Sequence, residues 1–113
     1  MLNWIAVFIG GGMGSLLRFG IGKIPFSLNF PTNTLIANIV ACIIMGATVY
    51  TIQPQSTFTK ALVLTGICGG LSTFSTFSKE TFDLFAEGNY LIACINILIS
   101  IGSCLAIFYA FKS

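Results

Sequence analysis

The sequence predicts an all-α integral membrane protein that forms a single domain over residues 1–113, with four helices crossing the bilayer. Hydrophobic residues make up 56% of the chain and charged residues only 7%, whereas a soluble domain carries about 25% charge. The mean hydropathy is +0.97. A spanning helix needs about 20 mostly apolar residues, and four such segments fill the chain.

The four segments leave only short connections between them. We expect the spans at about residues 3–21, 34–52, 58–85 and 90–111. Each connection contains turn-forming residues: Pro25 and Pro31, then Pro54, then Glu87, Gly88 and Asn89. The first segment has no preceding Lys or Arg and has glycines in its middle, so we expect it to stay in the mature protein.

The charge and residue content exclude several classes of function. A net charge of +2 without a basic cluster argues against nucleic-acid binding. The absence of His removes most zinc sites and Ser/His or Cys/His catalysis, so an enzyme is not expected. Cys42, Cys68, Cys94 and Cys104 lie in apolar stretches without a C-x-x-C motif, which predicts free thiols and no disulfide.

The few cations are almost evenly divided between the two predicted membrane faces. Arg18 and Lys23 lie on one face, and Lys60 and Lys112 lie on the other. Because Lys and Arg near span ends set orientation, this balance permits insertion in both directions. Four helices alone enclose little space for a polar path, so we predict an antiparallel, dual-topology homodimer.

The third segment carries an unusual polar stretch in its centre. Residues 66–78 combine glycines with five hydroxyl side chains, and the pair Gly69-Gly70 favours a helix interruption. A broken helix exposes carbonyls that suit a cation and N–H groups that suit an anion. The alternative is that the glycines form a packing notch and the hydroxyls bond to their own helix.

Phe74 and Phe77 are three residues apart, so they share one face of the helix that follows. An aromatic ring has a positive edge, which can hold a small anion without a full charge. The alternative interpretation is that both rings belong to the core.

Other polar residues within or near the spans are candidates for the same path. Asn38 can donate two hydrogen bonds, Asn96 and Ser100 share a helical face, Arg18 lies at a span end, and Glu80 follows the Phe pair. The alternative roles are hydrogen bonding between helices and, for Arg18, extension of the side chain to the membrane surface.

Three motifs together resemble the Fluc/CrcB fluoride channel family over nearly the whole chain. They are the glycine-rich first span ending at residues 14–19, the start of the second span at residues 30–38, and the third-span motif at residues 66–80.

The resemblance implies an antiparallel dimer with two fluoride pores and one central structural Na⁺. Fluoride would leave the cytoplasm by passive electrodiffusion across the inner (plasma) membrane. The carbonyls of Gly69 and Ser72 from both subunits would bind Na⁺. The implied pore residues are Asn38, Phe74, Phe77, Ser75, Thr76 and Ser100, and the implied vestibule residues are Arg18, Thr34 and Glu80.

The chain departs from the family pattern at several positions. Thr32-Asn33 stands where Trp-Gly is common, Ala41 where glycine often occurs, Ser72 where Thr is usual, and Asn96 where many members carry Tyr. Two other functions compete with the channel: a proton-coupled exporter of cationic drugs, which needs a membrane-buried carboxylate, and a scaffold subunit whose small residues serve only packing.

Overall fold

The structure is a computed structural model that describes residues 2–25 and 30–113, and it is all-helical there apart from short connections. Four helical stretches are long and apolar enough to cross a membrane, which confirms the prediction of four candidate spans. They are Leu2–Gly22, Thr32–Ile52, Thr57–Ala86 and Tyr90–Lys112. The connection between the first two is described only at residues 23–25 and 30–31.

Five helices make up these four stretches, because the third stretch contains two. The helices are α1 (Leu2–Gly22), α2 (Thr32–Ile52), α3 (residues 57–71), α4 (Phe74–Ala86) and α5 (Tyr90–Lys112). Two parts widen into π-helix, Ala47–Ile52 at the end of α2 and Ala61–Cys68 within α3.

A glycine ends α4 and turns the chain back toward the bundle. Gly88 has a φ of 86°, a left-handed conformation that glycine adopts without a steric penalty. Its N–H donates to the Phe85 carbonyl at 3.1 Å, and the Asn89 N–H donates to the Leu84 carbonyl at 2.8 Å. These two bonds form a Schellman-type cap and satisfy carbonyls that the helix end leaves free.

Glycines on α1 and α3 let the two backbones approach closely. A Cβ built on Gly10 or Gly14 would collide with backbone carbonyls of α3. A Cβ on Gly66 would lie 2.8 Å from the Gly10 Cα, and one on Gly70 would lie 2.5 Å from a carbonyl oxygen of α1. The spacing of Gly10 and Gly14, close to a G-x-x-x-G pattern, therefore predicts the close helix packing that the structure shows.

The large apolar side chains lie mainly on the outside of the bundle. Ala37, Ala41 and Leu71 form a small buried cluster, whereas Trp4 and Phe8 are 82% and 83% exposed. This distribution is the one expected where lipid surrounds the protein. Within the chain, α1 packs on α3, while α2 and α4 both pack on α5.

Candidate functional site

Ser72 and Thr73 join α3 to α4 through extended backbone. The φ and ψ angles are −80° and 151° at Ser72, and −148° and 116° at Thr73. The interruption was expected at Gly69-Gly70, but both glycines are helical. It lies instead at Ser72 and Thr73. Helical bonding continues to Ser72, whose N–H and Oγ both donate to the Cys68 carbonyl, at 2.9 and 2.8 Å. We call the two extended residues the junction.

The second half of the junction caps α4. The Thr73 hydroxyl Oγ1 accepts a hydrogen bond from the Thr76 N–H at 3.2 Å, as an N-cap side chain does. The same oxygen lies 3.2 Å from Thr76 Oγ1 and 3.3 Å from Ser75 Oγ. Three hydroxyl groups therefore cluster at the start of α4.

The junction is tied to α2 through Asn38. The Thr73 N–H donates to Asn38 Oδ1 at 3.0 Å. A backbone N–H can only donate, so the side-chain atom that faces it must be the amide oxygen. The amide nitrogen Nδ2, which carries two donor hydrogens, therefore points away from this bond.

Two backbone carbonyls at the junction lose the donors that a continuous helix would supply. In such a helix the Thr73 N–H would donate to the Gly69 carbonyl, and the Thr76 N–H to the Ser72 carbonyl. The first donates instead to Asn38 Oδ1, and the second to Thr73 Oγ1. The carbonyls of Gly69 and Ser72 are thus released from helical bonding.

A cavity of about 320 Å³, here the aromatic cavity, lies beside the junction. Asn38, Ser72, Thr73, Phe74, Phe77 and Ser100 all contribute to its lining. The centroids of the two phenylalanine rings are 6.2 Å apart, with their planes inclined at 45°. Phe74 is 81% exposed in the single chain. The cavity therefore combines amide and hydroxyl groups with two neighbouring rings.

A buried chain of hydrogen bonds leads from this cavity along α4 and α5. Ser100 Oγ donates to Asn96 Oδ1 at 3.3 Å, and Asn96 Nδ2 donates to Thr81 Oγ1 at 2.9 Å. The Thr81 hydroxyl donates in turn to the Phe77 carbonyl at 2.8 Å. Asn96 is only 1% exposed, so its amide holds Ser100 in place from within the bundle.

A second cavity, of about 310 Å³, contains charged groups and is called the charged cavity. Arg18, Thr34, Thr76 and Glu80 are among its lining residues. Within the described part of the chain, Arg18 Nε and Glu80 Oε1 are shielded from solvent and have no hydrogen-bond partner. Thr73 lines both cavities, so the junction stands between them.

The structure gathers most of the predicted site residues around the junction. Asn38, Ser72, Phe74, Phe77 and Ser100 line the aromatic cavity, and Arg18, Thr34, Thr76 and Glu80 line the charged cavity. Gly69 and Ser75 line neither of these two cavities, and both are exposed. The functional roles assigned to these residues stay predictions.

Four further residues with polar or thiol side chains line the two cavities and were not among the predicted site residues. Thr73 separates the cavities, and Cys42 and Cys104 line the aromatic one. Asn33 lines the charged cavity and donates from Nδ2 to the Ile21 carbonyl at 2.6 Å, near the end of α1. The polarity of Thr73 was visible in the sequence, but its position between two cavities follows only from packing.

Four apolar spans, with two cavities between them that contain polar side chains, define a small multi-pass integral membrane protein. A family model described as "CrcB-like protein, Camphor Resistance (CrcB)" matches residues 5–111. The chain belongs to the CrcB family, and the resemblance seen in its motifs is confirmed.

Similar proteins come from bacteria and archaea and share the name fluoride-specific ion channel FluC. The Coxiella burnetii protein is 36% identical over 112 residues, covering 93% of this chain and 90% of the relative. The Pyrococcus abyssi protein is 42% identical over 101 residues, covering 86% and 82%. The Thermococcus kodakarensis protein is 40% identical over 113 residues, covering 94% and 89%. Relatives named as ion channels confirm that the chain is not an enzyme.

Proposed function

We propose that the chain is a fluoride-selective channel that lets fluoride leave the cytoplasm by passive electrodiffusion across the inner (plasma) membrane. The name shared by the relatives supports the choice of ion. The observation that carries the proposal is the orientation of Asn38, whose amide oxygen is held by Thr73. Its Nδ2 group is thereby free to donate to an anion in the aromatic cavity.

The arrangement of donors suits fluoride in particular. Fluoride is small and strongly hydrated, so a selective path must replace its water shell with several close donors. Asn38 Nδ2 and the hydroxyls of Ser75, Thr76 and Ser100 are the proposed donors. The ring edges of Phe74 and Phe77 add a weak positive potential, which holds an anion without binding it too tightly for release.

The two cavities on either side of Thr73 form the proposed path. Arg18 in the charged cavity raises the local concentration of anions, so this cavity serves as the vestibule, together with Thr34 and Glu80. From there the ion passes the junction and enters the aromatic cavity. Glu80 Oε1 in the same cavity is shielded from solvent and has no hydrogen-bond partner among the described residues.

The path in one subunit requires a partner to close it. Phe74 is 81% exposed although it lines the aromatic cavity, and a polar path open to lipid would be costly. We propose an antiparallel homodimer with two pores, in which the second copy covers this opening. The near-balanced cations at the two membrane faces support insertion in both orientations.

The junction also fits the proposed structural Na⁺. The residues described by the structure contain no group of three or more His, Cys, Asp or Glu side chains able to hold a metal, so backbone carbonyls are the proposed ligands. Gly69 and Ser72 lack their helical amide donors, as shown above. Oxygen donors suit a hard cation, and the second subunit would contribute the same pair. The ion would join the two subunits electrostatically.

Fluoride efflux from proteoliposomes tests the channel directly. Vesicles loaded with potassium fluoride and containing the purified chain should release fluoride only after valinomycin allows K⁺ to follow, because electrodiffusion is limited by charge balance. Efflux no faster than from protein-free vesicles would refute the proposal. Vesicles loaded with potassium chloride serve as the selectivity control.

Crosslinking and ion replacement test the dimer and its sodium. The chain should crosslink as a dimer in Na⁺, and replacement of Na⁺ by N-methylglucamine should weaken the dimer and abolish efflux. A chain that is monomeric and fully active would exclude the dimer. Unchanged dimerisation and efflux without Na⁺ would exclude the sodium site alone.

A further inference from the structure

The aromatic cavity contains two cysteine side chains that the proposed fluoride path does not use. Cys42 on α2 and Cys104 on α5 both line it. Both are free and half-buried. Cys104 Sγ lies 3.8 Å from the carbonyl oxygen of Asn38, which is one helical turn before Cys42 on α2. Two thiols from different helices therefore line the same cavity close to the proposed anion donor.

We propose that Cys42 and Cys104 form a two-coordinate site for a soft, thiophilic metal cation, with Hg²⁺ as the best fit. Thiolates are the preferred protein ligands of soft metals. Each thiol loses its proton as it binds, so the balanced step is two R–SH plus Hg²⁺ giving R–S–Hg–S–R plus two H⁺. The product is electrically neutral, which avoids the cost of burying net charge within a membrane protein.

A metal bound at this position would block fluoride transport. The cavity that would hold the metal is also lined by Asn38, Phe74, Phe77 and Ser100. A bound mercury would obstruct the part of the cavity beside Asn38 that fluoride must cross, and it would bring no net positive charge to attract the anion. Block of fluoride efflux rests on the proposed function, whereas metal binding by the two thiols does not.

The other two cysteines supply the controls. Cys94 is exposed on α5 and offers a single thiol that would take up mercury as a chloride adduct. Cys68 is buried, its Sγ lies 3.5 Å from the Ala41 carbonyl oxygen, and it is absent from the lining of the aromatic cavity. Cys94→Ser therefore provides the parent protein, and Cys68→Ser on that parent tests whether the third thiol takes part.

Intact mass of the purified protein measures the binding step. After exposure to mercuric chloride and desalting, the Cys94→Ser parent should gain one bare mercury per chain with the loss of two protons. Cys42→Ser and Cys104→Ser on that parent should lose this bridged species and show at most chloride-bearing adducts. Each variant removes one ligand, so either one suffices if the other does not fold. A bridged species that survives both changes, or that needs Cys68 instead of Cys104, would overturn the assignment.

Fluoride efflux measures the block. Mercuric chloride should abolish efflux through the Cys94→Ser parent, a dithiol should restore it, and Cys42→Ser or Cys104→Ser should make efflux resistant. A parent that forms the bridged species yet conducts fully would overturn the block. A parent that conducts no fluoride even without mercury would refute the channel and leave the mass result standing.

Discussion

The backbone N–H of Thr73 donates to Oδ1 of Asn38 at 3.0 Å, and this single bond links the α3–α4 junction to α2. It orients the Asn38 amide, because only the oxygen can face a donor. It also removes the Thr73 N–H from the Gly69 carbonyl, its partner in a continuous helix. One hydrogen bond thus orients the proposed anion donor, Asn38, and leaves one of the proposed cation ligands, the Gly69 carbonyl, without its helical donor.

The isosteric change Asn38→Asp separates these two effects. The variant keeps an oxygen for the Thr73 N–H but replaces the Nδ2 donor with a second oxygen that repels an anion. We expect fluoride efflux to fall roughly tenfold or more, because a hydrogen bond to a charged group contributes about 1.5–3 kcal/mol. Thermal unfolding in detergent should change little. Efflux equal to that of the parent chain would show that Nδ2 is not a fluoride donor.

Asn38→Leu is the matched comparison, since it removes the oxygen as well. The Thr73 N–H then has no acceptor at this position, and leaving a buried donor unsatisfied costs about 1–3 kcal/mol. We expect a lower unfolding temperature together with lost efflux. A variant as stable as Asn38→Asp would show that the Thr73 bond does not stabilise the junction.

Replacing both rings, Phe74→Ile with Phe77→Ile, distinguishes a channel from a scaffold subunit. Isoleucine preserves apolar bulk but has no positive ring edge, so efflux should be lost while crosslinking still detects the dimer. Phe82→Ile is the control, because Phe82 lies on the same helix, is 68% exposed and lines neither cavity. If the double variant conducts like the control, the rings serve packing alone.

Asn96→Leu tests the buried chain of hydrogen bonds behind Ser100. The change removes the acceptor of the Ser100 hydroxyl and the donor to Thr81. We expect the variant to lose about 1–3 kcal/mol of stability, since Ser100 is left without its buried partner. Chemical denaturation in detergent micelles measures the loss, and Leu98→Ala on the exposed face of α5 is the control. Equal stability of the parent and Asn96→Leu would contradict the structural role of the chain.

Two glycines on α1 offer a matched test of helix packing. Gly14→Ala forces a methyl group into the Ile67 carbonyl and to within 2.8 Å of the Leu71 nitrogen, both backbone atoms of α3. Overpacking of this kind costs about 1–3 kcal/mol. Gly12→Ala places its methyl where no described atom outside the helix's own backbone lies within 4 Å, and it should leave stability unchanged or slightly raised. Similar stability of the two variants would disprove the close α1–α3 contact.

The sequence was sufficient for features that depend on composition and local pattern. Apolar run length predicts four candidate spans, because a bilayer of fixed thickness demands helices of about 20 residues. The spacing of Gly10 and Gly14 predicts a close helix contact, and the structure shows it with α3. The polar stretch in the third span marks the region where the structure has the junction of the candidate site.

The sequence was less accurate about the position of the junction. Glycine pairs favour interruption in isolation, yet Gly69 and Gly70 stay helical, because Gly70 fits against the α1 backbone and Ser72 extends the hydrogen bonding to the Cys68 carbonyl. The extended residues follow at Ser72 and Thr73, where Asn38 supplies an acceptor from another helix. A tertiary hydrogen bond of this kind has no signature in local sequence.

The sequence by itself determined that this chain is a membrane protein of four apolar helices that carry few charges and many hydroxyl and amide groups. Only the tertiary structure decided how those groups combine. It turns the Asn38 oxygen toward Thr73, divides the polar residues between two cavities, and places Cys42 and Cys104 in the lining of one of them. The physical reason is that hydrogen-bond direction and the lining of a cavity depend on neighbours from other helices, which are distant along the chain.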